Sequence, residues 1–243
     1  MAGTAANKPF AGQLALVTGA SRGIGAATAE ALGAAGAHVI LTARDAKKLE
    51  GVEEAIFAAG GAATIAPVDL TEPEGVARLA AALGSRWPAL DILVLSAAHF
   101  PQLTPVTQLD SREFNRTLTL NLMAQHALLA HCDAILRRSQ DARVIALTSS
   151  VGQAPRAYWG AYSASKAALE ALLVAYAEEV RAISKIRVAI LDPGATRTAM
   201  RARAYPGEDP AGVKPPQEVA ARIVALAGEP FASPYRERIN PTA

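Results

Sequence analysis

The chain of 243 residues is 51% hydrophobic and 19% charged, and its formal net charge is only +2. Charges of both signs are interspersed, so it lacks the basic stripe or aromatic platform of a nucleic-acid binder, and no such partner is expected. Much of the apolar content is alanine, and no run of about eighteen strongly apolar residues offers a membrane span.

The length suits one sizeable α/β domain over residues 1–243 with a well-buried core. Met1 to Phe10 lacks the apolar stretch of a secretory leader. Cys132 is the lone cysteine, which excludes an intrachain disulfide and suggests a helix-packing thiol in a cytoplasmic protein. His38, His99, His126 and His131 have no metal-ligand spacing, so no metal is expected.

In chain order, the apolar run Leu14-Ala15-Leu16-Val17 leads into Thr18-Gly19-Ala20-Ser21-Arg22-Gly23-Ile24-Gly25. An alanine-rich helical pattern follows to Leu32, with Gly33 and Gly36 as its expected end. Strand, glycine turn and helix form the context in which glycines let the backbone approach a pyrophosphate at a helix N-terminus. A second strand over residues 37–43 ends in Arg44-Asp45. In a dinucleotide fold that position reads the adenosine ribose: a carboxylate selects NAD, and an arginine accommodates the extra phosphate of NADP. Arg44, with Arg22 from the glycine loop, favours NADP(H), with NAD(H) as the alternative. Asp45 comes one residue late and suits a helix cap.

A third strand over 63–68 precedes Asp69 and Leu70, where an adenine is a candidate neighbour and a solvated turn is the competing reading. Thr71 and Glu74 have the spacing of a capping box. A buried fourth strand over 90–95 ends in Ser96-Ala97-Ala98-His99, where small residues would let a cofactor lie against the backbone. His99 is a loop residue near that site. Asp110 and Glu113 open a long helix reaching about residue 138, with Asn121 in its middle. Asparagine is a mediocre helix former, and a polar contact on an exposed face is the plain reason for it.

A fifth strand over 143–147 ends in Thr148-Ser149-Ser150, and a sixth over 186–191 ends in Asp192-Pro193-Gly194-Ala195-Thr196-Arg197-Thr198. Apolar strands alternating with helices indicate a three-layer α/β fold, a doubly wound parallel sheet of the Rossmann type. Ligands of such sheets bind beyond the strand C-terminal ends, where all these loops fall.

Tyr162-Ser163-Ala164-Ser165-Lys166 lies in a helical pattern, thirteen residues after Ser149. Four-residue spacing puts Tyr162 and Lys166 one turn apart on one face. A nearby ammonium favours the phenolate and should bring the phenol toward the working range, suiting the pair to proton transfer at a substrate oxygen.

With Thr18–Gly25, Asn121, Ser149, Tyr162, Lys166 and the Pro193-Gly194 turn in this order and spacing, the chain resembles the short-chain dehydrogenase/reductase family. Two stretches, 156–162 and 193–210, resemble a bacterial subgroup of it. The resemblance implies that Tyr162 is the general acid/base, that Ser149 hydrogen-bonds the substrate carbonyl, and that Lys166 holds the nicotinamide ribose. It implies that Asn121 binds a water linking Lys166 to solvent, and that Ile24, Thr196 and Thr198 join the cofactor contacts. The expected activity is interconversion of a ketone or aldehyde with an alcohol, by a homodimer or homotetramer. A non-catalytic NADP-binding redox sensor is the rival reading. Where the family has a final strand, none is evident around Arg236-Glu237-Arg238-Ile239-Asn240. Residues 197–216 read as a mobile cover, and Arg197, Arg201 and Arg203 as either a solvated basic face or contacts for an anionic substrate.

Overall fold

The structure is a computed structural model that describes residues 8–240, so most of the Met1–Phe10 stretch lies outside the described residues. Seven strands form one all-parallel sheet: β1 (Leu14–Thr18), β2 (His38–Ala43), β3 (Ala62–Pro67), β4 (Ile92–Leu95), β5 (Arg143–Leu147), β6 (Arg187–Asp192) and β7 (Tyr235–Arg238). Their order is β3-β2-β1-β4-β5-β6-β7. The reversal between β1 and β4 opens a crevice at their C-terminal ends.

Both faces are covered because the strands are apolar on both sides, as parallel strands must be. In β1, Leu14 and Leu16 point into one cluster and Ala15 and Val17 into the other. The first cluster is closed by α3 (Pro73–Arg86), α5 (Ala124–Leu136) and α7 (Gly160–Arg181), through Leu83, Leu128 and Leu173. The second is closed by α1 (Gly23–Ala34), α2 (Ala46–Ala58) and α9 (Pro216–Gly228), through Leu32, Ile56 and Ile223. Each such side chain contributes about 1.5–3 kcal/mol by leaving water. Cys132, on α5, is fully buried in the first cluster, where burial pushes its thiol up to about 12.

Several elements differ from expectation. Gly33 lies inside α1, where the missing Cβ leaves room for Ile56, and the chain turns at Gly36, whose φ is +100°. Thr71 and Glu74 form no capping box. Pro73 opens α3 after Glu72, and Thr71 instead donates from its N (2.9 Å) and Oγ1 (2.7 Å) to Asp69 Oδ1. Asp45 does cap α2, accepting from Lys48 N at 3.3 Å.

The long helix is broken into α4 (Ser111–Leu118), a π-turn (Thr119–Met123) and α5, with Asn121 in the π-turn. The final strand exists: β7 pairs with β6 from Ala189↔Tyr235 to Asp192↔Arg238. Its sequence hides it, because a short charged edge strand has little apolar signal. Ion pairs from Arg222 to Glu237 (2.9 Å) and from Arg238 to Asp192 (3.5 Å) hold it instead.

Candidate active site

At the C-terminal end of β1, Thr18 ties two loops together. Its Oγ1 donates to Val94 O at 3.1 Å and accepts from Ser96 N and Ala97 N at 3.0 and 3.1 Å. Gly19 then turns with φ +66°, and a Cβ there would stand 2.9 Å from Ala97 Cα. A Cβ on Gly25 would meet the Gly19 carbonyl oxygen, and one on Gly23 would sit 3.3 Å from Thr198 Cγ2. Only glycine fits this cradle. Arg22 precedes α1 in extended backbone and places no side-chain cap on it, so the first-turn N–H groups face the cradle as an anion site. Ser21 is half-buried there, Arg22 is exposed, and Ile24 packs toward the sheet.

Arg44 leaves the end of β2 largely exposed, 3.9 Å from Asp69. For Asp69, burial favours the neutral acid, but hydrogen bonds from Thr71 and the charges of Arg44 and Arg116 outweigh it and hold the carboxyl low. The Leu70 side chain is in the core and leaves only backbone for a ligand. Residues 96–98 are half-buried, and Gln125 Nε2 donates to Ala97 O at 3.1 Å from behind. Nothing in the sequence distinguishes Gln125 from any helical glutamine.

Ser149 stands at the end of β5, in extended backbone just before α6 (Ser150–Gln153), which packs on α7. Ser150 Oγ instead accepts from Arg156 at 3.3 Å. Tyr162 and Lys166 are buried, as the first turns of α7 run beneath the loop. Lys166 Nζ donates to Leu147 O at 2.8 Å and lies 5.7 Å from the Tyr162 ring centroid.

The expected lowering of the phenol is not what this arrangement gives. Burial, then the negative charge of Asp192, pushes Tyr162 above the usual phenol range. Burial also brings the Lys166 amine down to about 8, against the raising effect of Glu170. Tyr162 is thus held as a neutral O–H, the form that donates a proton.

Asn121 is fully buried, not on an exposed face. Its Nδ2 donates to His99 O (2.9 Å) and Ser165 Oγ (3.0 Å), and its Oδ1 accepts from His99 N at 2.6 Å. One side chain therefore joins the loop after β4 to the Tyr162–Lys166 turn of α7. The His99 ring is committed to Glu113 at 2.7 Å.

Gly194 has φ +61°, and a Cβ on it would meet Ile239 O at 2.8 Å. Buried Lys214 donates to that same carbonyl at 2.7 Å, so the segment after β7 clamps the Pro193-Gly194 turn. Sequence reading missed this clamp. The Thr196 hydroxyl turns inward onto Pro193 O at 3.0 Å, while Thr198 caps α8 (Ala199–Ala204) and faces the glycine loop.

The cover is partly helical. Met200 Sδ lies 3.9 Å from the Tyr162 hydroxyl, and Phe100, Trp159 and Tyr162 form edge-to-face contacts with centroids 5.2–6.2 Å apart. Arg201 is paired with Glu208 at 2.5 Å and stacked on Tyr205, and Arg203 donates to Phe100 O at 3.1 Å. Arg201 is therefore not part of a solvated basic face, whereas Arg203 remains exposed. Arg197 is exposed.

A family model described as short chain dehydrogenase matches residues 13–209. The chain belongs to the short-chain dehydrogenase family. It is 33% identical over 220 residues to the oxidoreductase YciK of Escherichia coli K12, covering 89% of this chain and 86% of that one. Among solved structures, it resembles a metagenomic short-chain oxidoreductase in complex with NADP, with a TM-score of 0.84 and 32% identity over 97% of this chain and 99% of that one. A short chain dehydrogenase from Escherichia coli CFT073 complexed with NADPH superposes with a TM-score of 0.90 at 31% identity, covering 97% and 99% of the two chains. As a member of this family the chain is an NAD(P)-dependent oxidoreductase acting at alcohol or carbonyl groups. Among the described residues no helix is long and apolar enough to cross a membrane.

Proposed function

We propose that this short-chain dehydrogenase reduces a ketone or aldehyde to an alcohol with NADPH, Tyr162 supplying the proton. The observation that carries the reading is the pairing of two features at the sheet's C-terminal edge: a cradle that only glycine fits, and buried Tyr162 with Lys166 one turn on. The cradle fits a dinucleotide pyrophosphate, with Gly19, Ser21, Gly23, Ile24 and Gly25 on one side and residues 96–98, 193–194, 196 and 198 around it. Arg22 and Arg44, both exposed and basic, suit the ribose phosphate that separates NADPH from NADH. When bound, the nicotinamide supplies the hydride.

The chain's own residues would do the rest. Tyr162, kept neutral, hands its proton to the carbonyl oxygen, and Ser149 steadies the charge that grows there. Lys166, with an amine near 8, carries enough positive charge at neutral pH to stabilise the phenolate left behind. Met200, Phe100 and Trp159 keep water from the proton donor. With Arg201 engaged by Glu208, the cover favours an apolar carbonyl over an anionic one. The proposed setting is a cytoplasmic homodimer or homotetramer.

The deciding experiment follows NADPH absorbance over a panel of ketones, aldehydes and acyl thioesters, with NADH and Tyr162→Phe alongside. NADPH-selective turnover is expected, falling by about a hundredfold or more in the variant while NADPH affinity stays near wild type. Substantial turnover by Tyr162→Phe would remove the proton-transfer role. Tight NADPH binding without turnover on any carbonyl would favour the sensor reading.

A further inference from the structure

Glu170 is a buried carboxylate that the mechanism above leaves unused, only 4% exposed and one turn past Lys166 on α7. Three separate segments converge on it. Thr148, the residue before Ser149, donates from Oγ1 to Glu170 Oε1 at 2.5 Å. Gln153, at the end of α6, donates to Oε2 at 3.0 Å. Arg236 on β7 donates to Oε2 from the far side. Close approach is built in, since a Cβ on Gly152 would stand 2.9 Å from Glu170 Oε1.

We infer that Glu170 is a positioning residue, holding the Ser149 loop in register with Tyr162 and Lys166 and setting a negative charge one turn along α7 from Lys166. This rests on the reading of Tyr162 and Lys166 as the proton-transfer pair. It extends that reading to a residue outside the family signature quoted above and gives β7 a part in the site.

The physical argument has two strands. Ser149 sits between Thr148 and Gln153, and both grip a carboxylate borne by the helix that carries Tyr162 and Lys166. Movement of the serine away from the tyrosine would therefore break buried charge-assisted hydrogen bonds, which are about twice as strong as neutral ones. The charge also acts along the helix. Burial lowers the Lys166 amine, and the Glu170 carboxylate opposes that. The carboxylate is itself kept ionised: burial would raise it, but the donors Thr148, Gln153 and Arg236 more than compensate. The charged groups around this cluster are Glu170, Arg236 and Lys166, with Asp192 facing Tyr162 from β6.

Carbon-13 lysine NMR titration of the cofactor-free full chain reads Lys166 directly, with Lys166→Met to assign the signal. Glu170→Gln should move the Lys166 midpoint down by about one pH unit, the effect of one nearby opposite charge lost. Arg236→Gln should move it up, because a like charge has been removed. In parallel, turnover of an activated aromatic diketone with NADPH should fall about tenfold or more in Glu170→Gln, with its KM for NADPH within about twofold. Glu170→Asp should keep the midpoint within a few tenths of wild type while losing rate, since it retains charge but not reach.

An unmoved Lys166 midpoint in Glu170→Gln, with rate unchanged and only thermal stability lowered, would make Glu170 purely structural. If Glu170→Gln does not fold, Glu170→Asp decides, and an unchanged rate in that variant overturns the inference. Loss of turnover in Tyr162→Phe with an unaffected Glu170→Gln would sink the Glu170 role alone. Retained turnover in Tyr162→Phe would sink the reading beneath it.

Discussion

Tyr162 and Lys166 were visible in the sequence as a pair, but their protonation was not. Four-residue spacing on an alanine-rich helix suffices to put them on one face. The depth at which that face is buried decides their charge, and both are less than a tenth exposed. Burial takes the Lys166 amine from 10.5 to about 8. Between those values the unfolded chain still binds a proton that the folded chain has released, so stability from this group rises with pH. Below about 8 the folded state carries a desolvated ammonium and the whole penalty. Above 10.5 the amine is neutral in both states and the penalty is gone. Lys166→Met removes the effect, so the stability of wild type minus variant should climb by about 3 kcal/mol between pH 8 and 10.5 in urea unfolding. A pH-independent difference would contradict the burial argument. Asn121 illustrates the same limit. Its type suggested a surface contact, whereas its three side-chain hydrogen bonds reach residues distant along the chain.

Among the elements, the glycine loop was legible because its constraint is local. Strand, turn and helix each follow from neighbouring residues, and the missing side chains say that something approaches closely. What approaches is partly protein: the Gly19 carbonyl against Gly25, and the residue 96–97 backbone against Gly19. Gly25→Ala should therefore weaken NADPH binding about tenfold or more and lower the thermal midpoint by about 4–8 °C. Gly51→Ala, inside α2 where a Cβ meets nothing within 4 Å, is the control and should leave NADPH affinity unchanged without lowering the thermal midpoint. Fluorescence titration and thermal melts test both, and near-normal affinity in Gly25→Ala would dismiss the cradle. The π-turn and β7 were illegible for opposite reasons. A π-turn is one residue of slack inside an unbroken helical pattern, demanded by what Asn121 must reach. β7 shows almost no apolar pattern, since its stability comes from pairing with β6 and from ion pairs made across the fold.

At the scale of the molecule, the sheet order sets the crevice between β1 and β4, and six loops reach it from strands far apart in the chain. Met123, in the π-turn between α4 and α5, is 58% exposed and offers an apolar contact for a second copy of the chain. Sedimentation equilibrium should find a dimer or tetramer, and Met123→Glu should shift it toward monomer. A wild-type protein that sediments only as monomer would refute the proposed assembly.

The sequence by itself determined the parallel α/β architecture, the glycine turn after β1 and the one-turn spacing of Tyr162 and Lys166 on a helix. These follow from periodicity and short spacing, which depend only on neighbouring residues. The tertiary structure alone decided that burial raises the Tyr162 phenol, that Arg201 turns to Glu208, and that Lys214 and Ile239 clamp the Pro193-Gly194 turn. It also brought Glu170 into contact with Thr148 and Arg236. Burial and long-range pairing set each of these, and neither can be read from residues adjacent in the chain.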